Sequence, residues 1–214
     1  MVIGFRRHRQ FLHVRNSNSM AKILIPRRMM YFIDGENLVL RYQAMKAKGY
    51  IPYSTVIHQQ DEYLWAQNIW TPGDHRIVRA YYYSSVSGDD DKIQAVTQRV
   101  KQFPIRSNVP DGSAKTLNPC IFKKPKKSMK AKGVDIQMTV DILTHIYQDN
   151  LDTLCLFSGD GDYRPILNEA IRNGKHVYVA AFSEGLNPIM RQLADEMIEL
   201  DPVFFEPNKQ TNPA

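Results

Sequence analysis

The chain has 214 residues, 43% of them hydrophobic, and carries a formal net charge of +6 at pH 7. That length suits one α/β domain with tails, and no apolar run approaches the roughly 18 residues needed to span a bilayer. Its two cysteines, Cys120 and Cys155, exclude a disulfide framework or a cysteine-built zinc site and fit a reducing, cytoplasmic setting.

The positive charge is unevenly spread. Residues 1–33 hold Arg6, Arg7, Arg9, Arg15, Lys22, Arg27 and Arg28 and no acid. A second basic block runs Lys123, Lys124, Lys126, Lys127, Lys130 and Lys132. Acids are left to the body of the chain. Either the basic runs are solvated charge, or acids inside a basic surround mark a cation site that faces a polyanion.

Residues 1–27 have no periodicity and are expected to be a disordered basic arm. Met29–Ile33 reads as a strand with Asp34 at its tip, and Asn37 to Gly49 follows helical spacing. Asp34 in that place also suits a helix N-cap. A short helix is expected over Asp61–Ile69, a turn over Thr71–Asp74, and a strand over Arg76–Ser84. Tyr81–Tyr83 offers faces for stacking nucleobases, or else packs in the sheet. Asp89, Asp90 and Asp91 are explained as charges at a helix N-terminus, outside any site. Two short β pieces flank a hairpin signal at Pro110–Ser113.

Gly133–Asn150 is the most regular helix, with Val134, Met138, Ile142 and Ile146 on one face. Asp135 opens it. Asp141 lies about 120° around the axis from Asp135, so it suits a supporting or salt-bridging role. The stretch Asp152–Pro165 then combines a buried strand, Leu154–Phe157, with the turn Ser158-Gly159-Asp160-Gly161-Asp162 and a helix that has Pro165 in its first turn. Carboxylates at the C-terminal end of a buried strand sit where open α/β sheets place ligands. Glycine in the turn is read as freedom to take positive φ. Asp160 as a simple helix cap is the competing explanation.

Helix Arg164–Asn173, strand His176–Ala181, helix Ser183–Asp195 and strand Met197–Leu200 follow, then a polar tail over 202–214. Strand and helix alternate almost throughout, so the expected fold class is α/β: a three-layer sandwich on a central, mainly parallel sheet, over residues 28–201.

Asp34, Asp135, Asp160 and Asp162 then fall at equivalent strand and helix ends. If those strands are neighbours, the acids meet at one edge, where like charges need a cation between them. Oxygen-only ligation suits Mg²⁺ or Mn²⁺. Such an ion activates water and neutralises charge on a phosphodiester, and the lysine block would attract phosphate without reading sequence. A dinucleotide site is disfavoured, since no G-x-G-x-x-G follows the first strand.

Three motifs in order, Y-F-I-D-G-E-N-L, K-G-V-D-I-Q-M-T-V-D and L-F-S-G-D-G-D-Y-R-P-I-L, resemble the NYN domain of the LabA-like type, within the PIN-like nuclease group. The resemblance spans about Met29 to Asp201. It implies a PIN-like (Rossmannoid) fold and Mg²⁺- or Mn²⁺-dependent cleavage of RNA, single-stranded by expectation. By motif, it implies a site of Asp34, Asp135 and Asp160, supported by Asn37 and Asp162. Tyr163 stands where the family often has Phe. The alternative is a non-catalytic RNA-binding or regulatory adaptor that keeps the fold.

Overall fold

The first strand and first helix are joined without a loop. In a computed structural model, which describes residues 26–69, 73, 75–105, 115–124 and 132–207, Asp34 is both the last residue of strand β1 (Arg27–Asp34) and the N-cap of helix α1 (Gly35–Ala47). Val56–Gln59 (β2) and Tyr63–Ala66 (β3) then pair antiparallel, where a helix over Asp61–Ile69 is expected from sequence. Two things defeat that helix. Asp61 takes a left-handed φ of 58° in the turn. Tertiary partners also hold the second strand: Leu64 N donates to the Tyr82 hydroxyl and Trp65 Nε1 to the Pro104 carbonyl, both at 3.0 Å.

His75–Val86 (β4) follows, then Asp90–Lys101 (α2), whose N-cap Asp89 accepts from Lys92 N at 2.9 Å. The aspartates there are helix charges, as expected. Pro104–Ile105 (β5) pairs antiparallel with Lys115–Thr116 (β6); the hairpin turn expected between them lies outside the described residues. Asn118–Lys123 (β7), Lys132–Tyr147 (α3) and Thr153–Phe157 (β8) come next. A single 3₁₀ turn, Gly161–Tyr163, runs directly into Arg164–Arg172 (α4). The chain continues through His176–Ala181 (β9), Pro188–Leu193 (α5), Glu196–Glu199 (β10) and Asp201–Phe204 (α6). The helix expected from Ser183 starts only at Pro188, because Asn187 caps it, Oδ1 accepting from Ile189 N at 3.1 Å.

The sheet has six strands in the order β10-β9-β8-β1-β4-β7, all parallel. Period-two alternation assigns its two faces. Met29, Tyr31 and Ile33 pack with Leu38 and Tyr42 of α1, Val96 and Val100 of α2, and Trp65 of the hairpin. Met30 and Phe32 pack on the other face with Val134, Met138 and Ile142 of α3 and Leu167 of α4. Of Tyr81–Tyr83, the last two are fully buried and all three hydroxyls are bonded within the protein, so this run is sheet core and not a stacking platform. The segment expected as a polar tail over 202–214 carries Phe204 and Phe205, both buried against Tyr42 and Phe182. Among the described residues, no helix is long and apolar enough to cross a membrane.

The topology selects one place for a ligand. From β1 the chain moves to β4 and β7 on one side, then returns through α3 to β8 on the other. The crevice beyond the carboxyl ends of β1 and β8 is therefore the switch point where open parallel sheets bind ligands.

Candidate active site

Asp34 continues the alternation of Met30 and Phe32, and Ser158 continues that of Leu154 and Leu156. Both therefore face the α3 side just past the ends of β1 and β8. Asp34 is only 5% exposed. Its Oδ1 accepts from Asn37 N at 3.0 Å, which is the helix cap. Its Oδ2 accepts from Ser158 Oγ and from the Tyr163 hydroxyl, each at 3.2 Å. The cap uses one oxygen and leaves the other turned to the site. Burial pushes this carboxyl up to about 7; the amide of Asn37 pulls it down, the charge of Asp135 pushes it up, and the hydroxyls of Ser158 and Tyr163 pull it down.

The same Tyr163 hydroxyl lies 3.2 Å from Asp135 Oδ1. Asp135 stands on the exposed side of the first turn of α3 and, with Asp160, Asp162, Ile136, Thr139, Val140 and Tyr163, lines a cleft of about 210 Å³. Partial burial raises its carboxyl above the ordinary range, the Tyr163 hydroxyl lowers it, and the charges of Glu36, Asp160 and Asp162 raise it. Asp160 caps the 3₁₀ turn, Oδ1 accepting from Asp162 N at 3.0 Å, and its own amide donates to Ser158 Oγ at 3.2 Å. Capping and membership of the cleft thus coexist in Asp160.

The turn's glycines have a different reason from the expected one. Neither Gly159 nor Gly161 has positive φ. They permit close approach: a Cβ on Gly161 would stand 2.2 Å from Asn187 Nδ2, and one on Gly159 would stand 3.1 Å from Leu186 Cα.

Of the residues singled out in the sequence, Asp135, Asp160 and Asp162 share the open cleft, and Asp34 lies buried behind Tyr163. Asn37 does not face the cleft; its Oδ1 accepts from Gly159 N at 3.4 Å and so ties α1 to the turn after β8. Asp141 accepts from the Tyr83 hydroxyl at 2.8 Å and from Gln137 Nε2 at 2.9 Å, in the supporting role its angle on the helix suggests. Lys123 turns to α2, its Nζ 2.6 Å from Asp90. Lys124 is exposed at the end of β7. Lys132 opens α3, while Lys126, Lys127, Lys130 and the arm 1–25 lie outside the described residues.

Neither Glu36 nor Tyr163 is among the site residues expected from the sequence. Glu36 Oε1 accepts from Ser85 N at 3.1 Å and from the Ser85 hydroxyl, which fixes a further carboxylate close enough to raise that of Asp135. Its signal was its place in D-G-E-N. The signal for Tyr163 was the hydroxyl where the family often has a plain ring.

A family model for the NYN domain matches residues 28–201. The chain belongs to the NYN domain family. NYN domains are PIN-like, typically nucleases that use divalent metals and act on nucleic acid. A crystal structure of a protein of unknown function from Vibrio parahaemolyticus superposes on this NYN domain with a TM-score of 0.54 at 20% identity, covering 85% of this chain and 97% of that one, a likeness of fold. An uncharacterized protein of Methanocaldococcus jannaschii is 27% identical over 92 residues, 43% of this chain; the match spans 38% of that relative's length.

The NYN cleft fits a divalent cation in donor chemistry. Its donors are carboxylate oxygens, the ligands Mg²⁺ and Mn²⁺ prefer. Oδ2 of Asp135 and Oδ2 of Asp160 accept no hydrogen bond from the described residues. Among those residues, no three acids stand close enough to hold one ion as they are. Mg²⁺ is commonly held by only one or two carboxylates, with waters completing its shell.

Proposed function

We propose that this NYN domain is a metal-dependent ribonuclease that hydrolyses phosphodiester bonds of single-stranded RNA in the cleft between Asp135 and Asp160, in a cytoplasmic setting. The observation that carries the reading is the cluster itself: Asp135, Asp160 and Asp162 around one opening, with Asp34 linked to it through a shared hydroxyl. A fold gains nothing by crowding carboxylates that repel one another, so the crowding points to a cation.

Asp135 and Asp160 would hold Mg²⁺ or Mn²⁺ in the open cleft, with Asp162 at its mouth. When bound, the ion supplies a more acidic water and neutralises charge on the phosphate. Asp34 sets the floor of the site by orienting Tyr163 and Ser158, and Asn37 keeps α1 against the glycine turn. Ile136 and Val140, large apolar side chains exposed on α3 beside Asp135, offer a surface for a base or sugar next to the reacting phosphate.

One observation favours the alternative, an RNA-binding adaptor without activity: no three acids of the described residues converge on a single point. Incubating the purified protein with end-labelled single-stranded RNA, in Mn²⁺ and in EDTA, separates the two. Cleavage in Mn²⁺ alone is the expected result. Binding without cleavage in either buffer assigns the adaptor role.

A further inference from the structure

Arg41 lies one helical turn beyond Asn37 on α1. Its guanidinium lies against Gly185: a Cβ there would stand 2.2 Å from Arg41 Cζ and 2.4 Å from both Nε and Nη1. Gly185 also takes a left-handed φ of 69°, so the β9–α5 loop leaves this space on two counts. Arg41 Nε is buried without an acceptor, and no ion pair reaches the guanidinium among the described residues. The neighbouring acid, Glu184, is paired with Lys48 instead.

The loop that carries Gly185 also borders the acidic turn. The Gly185 carbonyl oxygen lies 3.4 Å from where a Gly159 Cβ would be, and Asn187 N donates to the Gly159 carbonyl at 2.9 Å. Arg41, Gly185 and Gly159 therefore form one rim, continuous with Asp160. Only Nε is buried; Nη1 and Nη2 keep accessible surface and make no bond among the described residues, so the open end of the planar fork is left to an anion and suits two oxygens of one phosphate.

We propose that Arg41 is a phosphate-binding residue that holds a backbone phosphate of the RNA strand flanking the one to be cut. Arg41 is not among the residues lining the cleft of Asp135 and Asp160, which suits a phosphate next to the reacting one. The substrate class rests on the ribonuclease reading above. The binding itself does not require cleavage.

The test measures binding of a fluorescent single-stranded RNA in EDTA across a salt series for wild type, Arg41→Gln and Arg41→Lys. Arg41→Gln is expected to weaken binding about five- to tenfold at low salt and to flatten the slope of log affinity against log salt by about 0.7, one phosphate contact. Arg41→Lys keeps the slope and loses part of the affinity, because an ammonium cannot make the two-oxygen contact. Equal affinity and slope for wild type and Arg41→Gln overturn the proposal; should Arg41→Gln not fold, equal affinity for wild type and Arg41→Lys does so. Arg41-dependent binding with no cleavage in Mn²⁺ leaves the phosphate contact standing and removes the nuclease reading. Cleavage with binding indifferent to Arg41 does the reverse.

Discussion

The Tyr163 hydroxyl donates to Asp34 Oδ2 across 3.2 Å, joining α4's entry to the end of β1 beneath the acidic cleft. The same oxygen is 3.2 Å from Asp135, yet a hydroxyl has one proton to give. We predict that Tyr163→Phe keeps the fold and costs about 1.5–3 kcal/mol, the range for a hydrogen bond to a charged group. The loss should be greater at pH 8.5, where Asp34 is ionised, than at pH 5, where it is protonated. Urea unfolding in EDTA at the two pH values measures it, and a pH-independent cost would mean that the bond to Asp34 does not set the contribution of the Tyr163 hydroxyl.

Asp34 itself links stability to pH. Its folded value is raised from 3.8 to about 7, so the native state binds the proton more tightly than the unfolded chain. Stability from this group is present below the unfolded value and is lost as pH rises toward the folded one, at about 1.4 kcal/mol per unit at most. In EDTA, wild type should lose stability between pH 4 and 7 by more than Asp34→Asn does. Parallel curves for the two proteins would show that Asp34 titrates normally.

Asp135→Asn and Asp160→Asn should each lower RNA cleavage in Mn²⁺ by about two orders of magnitude or more, since an ion's charge stabilisation is worth several kcal/mol. Melting temperature in EDTA should hold or rise slightly, because one repelling charge is gone. Wild-type turnover in either variant would falsify the assignment of that residue.

The lysine block makes a graded prediction. Lys123 already pairs with Asp90 on the surface, so Lys123→Ala alone should leave RNA binding within about twofold, as expected for an exposed pair. Neutralising Lys123, Lys124, Lys126 and Lys127 together should weaken binding and flatten its salt dependence, equally for unrelated RNA sequences. Turnover at saturating RNA should hold, since these charges bind ground and transition states alike. An unchanged salt slope in the quadruple variant would send the RNA path elsewhere, to the N-terminal arginines first.

The C-terminal aromatic pair is expected to be structural. Phe204 is fully buried in an aromatic cluster with Phe182 and Tyr42. Phe204→Ala should cost about 3–5 kcal/mol in unfolding free energy, for lost burial and the cavity left behind. A loss below 1 kcal/mol by chemical denaturation would mean that the segment is only loosely docked.

Alternating apolar strands and amphipathic helices were enough to read a parallel α/β sheet, because period two and period 3.6 are local properties of the chain. The places of Asp34, Asp135 and Asp160 at element ends were legible for the same reason. Local signals misled where tertiary partners outweigh propensity: Leu64 and Trp65 are held as a strand by Tyr82 and Pro104, and the tail carries core phenylalanines. Relations across the fold were out of reach. Asp34 and Tyr163 are 129 positions apart, and no periodicity encodes that strand order makes them neighbours. Strand order likewise buries Asp34 while leaving Asp135 and Asp160 open, and draws Glu36 toward Asp135. It also seats the guanidinium of Arg41 on Gly185, since which side chains meet at a sheet edge depends on how the chain crosses over and not on what stands beside each residue in sequence.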